Sequence, residues 1–184
     1  AYVESNNVLG DLNMDQMVNV LDVILLVNMI LGTEDPIDAA DINGDGIFNI
    51  LDIVQQVSII LGPRFDDASY IKLFDTGSSF TMESDGYVGA IKMDLHHDKD
   101  ISIDFSDALM VANSYTIEST TTLIIVSPEE DELFNYLGDF EIISVEAANS
   151  NEFIESILPY KTSLVSVYPN PFNPQTTIKY SLDN

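Results

Sequence analysis

Ten oxygen-bearing side chains fall into two sets with one spacing. Asp11, Asn13, Asp15, Asn19 and Asp22 stand at positions 1, 3, 5, 9 and 12 of a twelve-residue stretch. Asp41, Asn43, Asp45, Asn49 and Asp52 repeat that arrangement thirty residues later. Oxygen donors in this pattern are how a twelve-residue loop wraps a hard cation: alternate residues turn inward, position 7 offers its carbonyl, and position 12 closes the shell. One such loop could arise by chance. Two in register, each running into an apolar helical pattern that ends in Leu-Gly, point to a paired calcium module with two Ca2+ ions.

The elements that must position these donors are two helices. The first is expected to begin within the loop near Asn19 and to end at Gly32, a natural C-cap. Its residues Val20, Leu21, Val23, Ile24, Leu25, Leu26, Val27, Met29, Ile30 and Leu31 are apolar on nearly every face, and such a helix must be covered on every face. The second, from about Asn49 to Leu61, reads as more amphipathic, with Gln55, Gln56 and Ser58 as a polar stripe opposite Leu51, Val54, Val57 and Leu61. Gly62 and Pro63 end it. The apolar stripes either pack on one another or, for the surplus on the first helix, meet a partner.

Composition narrows the function. The chain has 184 residues, 46% of them apolar, which is enough for a real core. It has no cysteine, so a disulfide framework and thiolate metal sites are excluded. With 31 acidic and 6 basic residues the formal charge is −25. No basic patch exists to neutralise phosphates, which argues against nucleic acid and anionic membrane surfaces. The first cation is Arg64; the ten acids before it have no lysine or arginine beside them, so calcium would be their main counter-charge. The apolar run 18–31 is interrupted by Asn19, Asp22 and Asn28 and falls short of the roughly 20 residues a membrane span needs, so no membrane insertion is expected. With no start methionine, signal peptide or transit sequence visible, the chain reads as a mature or excised piece.

The doubled pattern Gly-Asp-Leu-Asn, Asp, Val-Asn and Asp, followed by a Leu-Gly-terminated helix, resembles a dockerin module over residues 10–62. Dockerins use paired EF-hand-like calcium loops without entering helices, and they bind β-sandwich cohesin domains. The resemblance implies side-chain ligands Asp11, Asn13, Asp15, Asn19 and Asp22, then Asp41, Asn43, Asp45, Asn49 and Asp52, with position 9 often acting through a water. Met17 and Ile47 would lend only their carbonyls. Two departures stand out. Loop position 6 usually needs positive φ and is Gly46 in the second copy but Gln16 in the first, a difference of roughly 1 kcal/mol or a changed turn. Many dockerins present Ser-Thr at positions 10 and 11, where this chain has Val20-Leu21 and Ile50-Leu51, so a partner contact there would be apolar.

From Tyr70 the texture changes to short β-branched and aromatic segments. Strands are expected at 70–74, 79–83, 87–95, 101–105, 108–111, 115–118, 122–127 and 140–145, with a weaker one at 153–157. Residues 131–137, before Gly138, read as a single helical turn. Closely spaced strands with turns between them suggest an antiparallel sandwich. The stretch around Tyr87 to Leu95, with Thr122-Leu-Ile-Ile-Val, loosely resembles cohesin-like sandwiches. At the end, Tyr168-Pro-Asn-Pro-Phe-Asn-Pro174 resembles the opening of a type IX secretion C-terminal sorting domain, a module of Gram-negative cell-surface proteins. Its first strand would be 176–182, either paired with another sheet or disordered.

Catalytic motifs do not emerge: there is no phosphate loop, nucleophile elbow or HExxH helix. His96-His97 reads as a solvated turn whose rings point to opposite faces, with a metal or proton-transfer role as the alternative. Glu129-Glu130-Asp131-Glu132 reads as a solvated loop and helix N-terminus.

The fold class expected is α+β in two parts, a small all-α paired EF-hand-like module followed by an antiparallel β-sandwich. The expected divisions are 1–63, 64–160 and 161–184, the last a linker with a truncated sorting domain. The expected function is a non-catalytic, calcium-stabilised interaction module of a secreted or surface protein of Gram-negative type. Its partner would be a cohesin-like sandwich in the same or a neighbouring chain, the latter able to form filaments. Two rivals are the accessory tail of a larger secreted hydrolase or protease and a carbohydrate-binding sandwich.

Overall fold

Asparagine caps open both helices. In this computed structural model, which describes residues 8–159, 162–168 and 177–182, Asn19 holds extended backbone and its side-chain oxygen accepts the Leu21 amide. Asp22 returns a bond from the Asn19 amide, and α1 runs Val20–Leu31. Asn49 and Asp52 repeat this reciprocal cap ahead of α2, Ile50–Leu61. The box satisfies amides that a helix start leaves without partners. Gly32 ends α1 in left-handed backbone, φ 79°. A short 3-10 turn, Asp38–Ala40, joins the copies.

Nine strands follow: β1 Tyr70–Asp75, β2 Ser79–Ser84, β3 Ala90–His96, β4 Ser102–Phe105, β5 Leu109–Ile117, β6 Thr120–Pro128, β7 Glu132–Leu137, β8 Glu141–Ala148 and β9 Phe153–Ile157. Their order is β4-β7-β2-β1-β9-β8-β3-β6-β5. Every pairing in that sheet is antiparallel except β1 with β9. Ile71, Leu73, Phe80, Leu133 and Phe134 from one half share a buried cluster with Ile91, Met93, Leu95, Leu123 and Ile125 from the other. The sheet therefore folds back on itself as a sandwich.

Part of the second half is buried on both faces, where the helices lie on it. Ala90, Val111, Ile124, Val126 and Ala148 point away from the sandwich core and join Val23, Leu26, Val27, Ile53, Val54 and Val57 of the helices in a second cluster. This explains the unbroken run Leu123-Ile124-Ile125-Val126 in β6, fully buried throughout, since a strand covered on both faces has no polar side to alternate with. The cover that α1 required comes from α2 and from β5 and β6 of its own chain. Val20, Leu21 and Ile24 stay exposed, at 38%, 54% and 39%.

Several expectations change. Residues 131–137 form strand β7, not a helical turn, because Leu133 and Phe134 fill the sandwich core and Phe134 stacks on Phe80 at 5.2 Å. The expected strands 108–111 and 115–118 are one strand, β5. The polar residues between them are accommodated at its middle: Asn113 bonds Asn28 of α1, and its own oxygen takes the Ser114 amide. The polar stripe on α2 is not a solvent face: Gln56 is fully buried, Gln55 donates to the Ser150 carbonyl, and Ile59 and Leu61 are exposed instead. The C-terminal strand, Thr177–Leu182, pairs antiparallel with Thr162–Tyr168, a partner not foreseen. Most of the proline-rich motif before it, and residues 1–7, lie outside the described residues.

Candidate metal centre

Each loop closes on itself through its aspartates. In the first, Asp11 accepts the amides of Asp15 at 3.1 Å and Gln16 at 2.9 Å, and Asp15 accepts that of Met17 at 2.8 Å. Asn13 accepts the Asp15 amide and donates its own side-chain N–H to Asp15. Asp22, at the far end, accepts the amides of Leu12, Asn13 and Asn19. The second loop repeats the scheme with Asp41, Asn43, Asp45 and Asp52. One contact differs: Asp41 Oδ1 takes the amide of Gly44, where Asp11 Oδ1 takes that of Asp15.

The backbone turn is shared, although the residues that adopt it differ. Positions 4 and 6 both lie at positive φ, at 72° and 79° for Gly44 and Gly46, but 60° and 71° for Met14 and Gln16. Gln16 thus keeps the expected turn and bears its strain. Met14 was missed, and its signal was Gly44 at the matching place in the second copy. Left-handed backbone costs about 1 kcal/mol or more in a residue with a side chain.

The donor set fits calcium: hard oxygens only, with no sulfur or nitrogen among them. Among the described residues no three His, Cys, Asp or Glu side chains are gathered for a metal as they stand. The aspartates are turned onto loop amides instead, and in each set two of the five side-chain donors are asparagines. Among the described residues, no lysine or arginine pairs with the loop carboxylates. Asp22 and Asp52 are fully buried, and the ion pairs among described residues lie elsewhere, at Lys92 and His96. Burial pushes the Asp52 carboxyl above its ordinary value despite the amides of Asn49, Asn43 and Ile42, and Asp41 pushes it the same way. A buried carboxylate is expensive unless it is paired, and a divalent cation is a pairing partner that this all-oxygen set suits.

Residues 9–56 match the dockerin type I domain. Both loops and most of α2 fall inside that span. A dockerin domain is a calcium-binding module for protein–protein interaction, and here a sandwich-like sheet follows it in the same chain. No curated protein and no solved structure matches the chain. No helix among the described residues is long and apolar enough to cross a membrane.

Elsewhere, the histidines separate. His96 is exposed, 3.9 Å from Asp98, whereas His97 is buried, with its ring nitrogens bonded to the Lys99 carbonyl and Thr121 hydroxyl. Only the first fits the expected solvated turn; the β3–β6 pairing draws the second inside. The acid run 129–132 is exposed, and its last residue opens β7, not a helix.

Proposed function

We propose that the chain is a non-catalytic, calcium-stabilised docking module of a secreted or surface protein, holding one Ca2+ in each loop. Asp11, Asn13, Asp15, Asn19 and Asp22 hold the first ion with the Met17 carbonyl. Asp41, Asn43, Asp45, Asn49 and Asp52 hold the second with that of Ile47. The observation that carries this is the doubled, buried carboxylate at Asp22 and Asp52, each held by loop amides and by no cation among the described residues. Calcium's contribution is structural: it neutralises aspartates that otherwise repel, so binding energy becomes folding energy.

The partner is a protein of cohesin-like sandwich form, and the first helix is where it docks. Val20, Leu21 and Ile24 are exposed, while their counterparts in the second copy, Ile50, Leu51 and Val54, are fully or partly buried. The chain's own sheet already covers the inner face of both helices, which favours a contact within the chain over head-to-tail filaments and leaves the exposed first turn of α1 to a separate partner. Calorimetric titration should give two calcium ions per chain and a melting transition that rises with calcium. No binding heat and an unchanged melting curve in excess chelator would overturn this reading. Light scattering with and without calcium reports any filament.

A further inference from the structure

The repeat is broken at one buried position. Gln56 stands thirty residues after Leu26, so one place on the helix holds an amide in the second copy and an alkyl chain in the first. Both are fully buried. Gln56 Nε2 donates to the Gly10 carbonyl at 2.7 Å, while its Oε1 accepts from no described group. Gly10 is itself buried and directly precedes Asp11, the first donor of the first loop. It holds φ 89°, and a Cβ on it would stand 2.8 Å from Gln56 Oε1 and 3.1 Å from Val18 Cγ1. The α2 side chain is thus pressed against the backbone where the first loop begins.

An amide in an apolar layer, with its oxygen met by no described group, is a poor choice for packing alone, and Leu26 shows what packing selects at that place. The helix that carries Gln56 is rooted in the second loop, whose Asp52 accepts the amides of Ile42 and Asn49. No such link runs the other way, because Leu26 has no donor to offer the buried Ala40, the counterpart of Gly10.

We propose that Gln56 is a positioning residue that couples the two calcium loops, so that calcium in the second loop strengthens binding in the first. This rests on the calcium reading above. Calcium orders the second loop and, through Asn49 and Asp52, the start of α2. Gln56 then fixes the Gly10 carbonyl and with it the entry of Asp11. By linkage the first site strengthens the second by the same factor.

Calcium titration of the full chain by calorimetry tests this in four forms: wild type, Asp45→Asn, Gln56→Met and the double variant. Asp45→Asn weakens the second loop directly, and it should also lower affinity at the first by about 5- to 150-fold, the ordinary range of coupling between sites. Gln56→Met keeps chain length but loses the amide; it should weaken the first site and abolish the effect of Asp45→Asn there. A purely structural Gln56 would leave that effect intact, which overturns the coupling. Asp15→Asn gives a check that leaves Gln56 in place, whether or not Gln56→Met folds. Calcium entering its second loop should slow hydrogen exchange at the Leu12 and Asn13 amides, and unchanged exchange overturns the coupling. A wild-type chain that takes up no calcium overturns the calcium reading itself, whereas two independent sites overturn the coupling alone.

Discussion

The two twelve-residue loops carry the same five oxygen-bearing side-chain types on nearly the same hydrogen-bond scaffold, yet their surroundings differ. The second has glycine at both left-handed positions, and its helix enters the sheet at once, with Ile50, Ile53 and Val54 buried and α2 set on β3 and β8. The first has Met14 and Gln16 at those positions, and its helix leaves Val20, Leu21 and Ile24 outside. Gly89 shows how close the second contact is: a Cβ there would lie 2.5 Å from Val54 Cγ1 and 2.9 Å from the Asn149 carbonyl. A repeat that is symmetric in sequence is therefore divided in role. The first turn of the second helix is anchored in the sheet; that of the first faces outward.

Calcium removal is the strongest way to break that picture. At a free concentration a hundredfold above Kd, each ion stabilises the folded chain by about 2.7 kcal/mol. Because the helices share a buried layer with Val111, Ile124 and Val126, chelation should lower one cooperative transition, helices and sheet together. Scanning calorimetry decides it. Two separate transitions in chelator would mean that the helical layer unfolds without the sheet, and the anchoring role of the second copy would fall.

Paired truncations come next. Val54→Ala should destabilise by about 2 kcal/mol, since it empties a fully buried site between α2 and β3. Its counterpart, Ile24→Ala, removes more carbon from a position 39% exposed and should cost less, about 0.5–1 kcal/mol. Urea midpoints at constant m-value measure both. Equal losses would erase the distinction between an anchored and an outward copy.

Much of this was legible in the sequence, and what was not has identifiable causes. The donors, caps and helix ends are local, so Asn19, Asp22 and Gly32 declare themselves within a few residues. The cover for α1 was required by its all-round apolarity, but its source, the outer face of β5 and β6, depends on contacts about eighty residues away. Residues 131–137 misled because an acidic start and a terminal glycine suit a helix locally, while the pairing of Phe134 with Phe80 prevails. Gln56 looked like a surface residue because glutamine usually is one; only its comparison with Leu26 marks it as odd.

Exchanging the residues at loop position 6 sharpens the comparison by a smaller amount. Gln16→Gly should relieve roughly 1 kcal/mol of left-handed strain, and Gly46→Gln should add a similar amount. Because the strain is borne by the ordered loop that holds calcium, the first site should gain and the second lose about fivefold in affinity. Calorimetric titration of each variant reads the change. Unchanged affinities would show that the loops differ in backbone but not in binding.

The smallest effect lies on the sheet and separates its chemistry from that of the loops. Asp94 in β3 is partly buried, which alone would raise its carboxyl. The hydroxyls of Thr122 at 2.6 Å and Ser144 at 2.7 Å, with Lys92 at 3.9 Å, prevail and hold it below the ordinary 3.8. A carboxyl depressed on folding contributes stability above its unfolded pKa and loses it as pH falls through the folded one. Asp94→Asn should therefore flatten the acid limb below about pH 4 in calcium-free buffer, while changing that limb no differently when calcium is present. Asp94 points to two hydroxyls and a lysine of its own sheet, whereas Asp22 and Asp52 have only amides. Melting temperatures of wild type and variant from pH 3 to 7, with and without calcium, test it. A calcium-dependent difference between them would tie the sheet's acid response to the loops, and the two regions would then be one electrostatic unit.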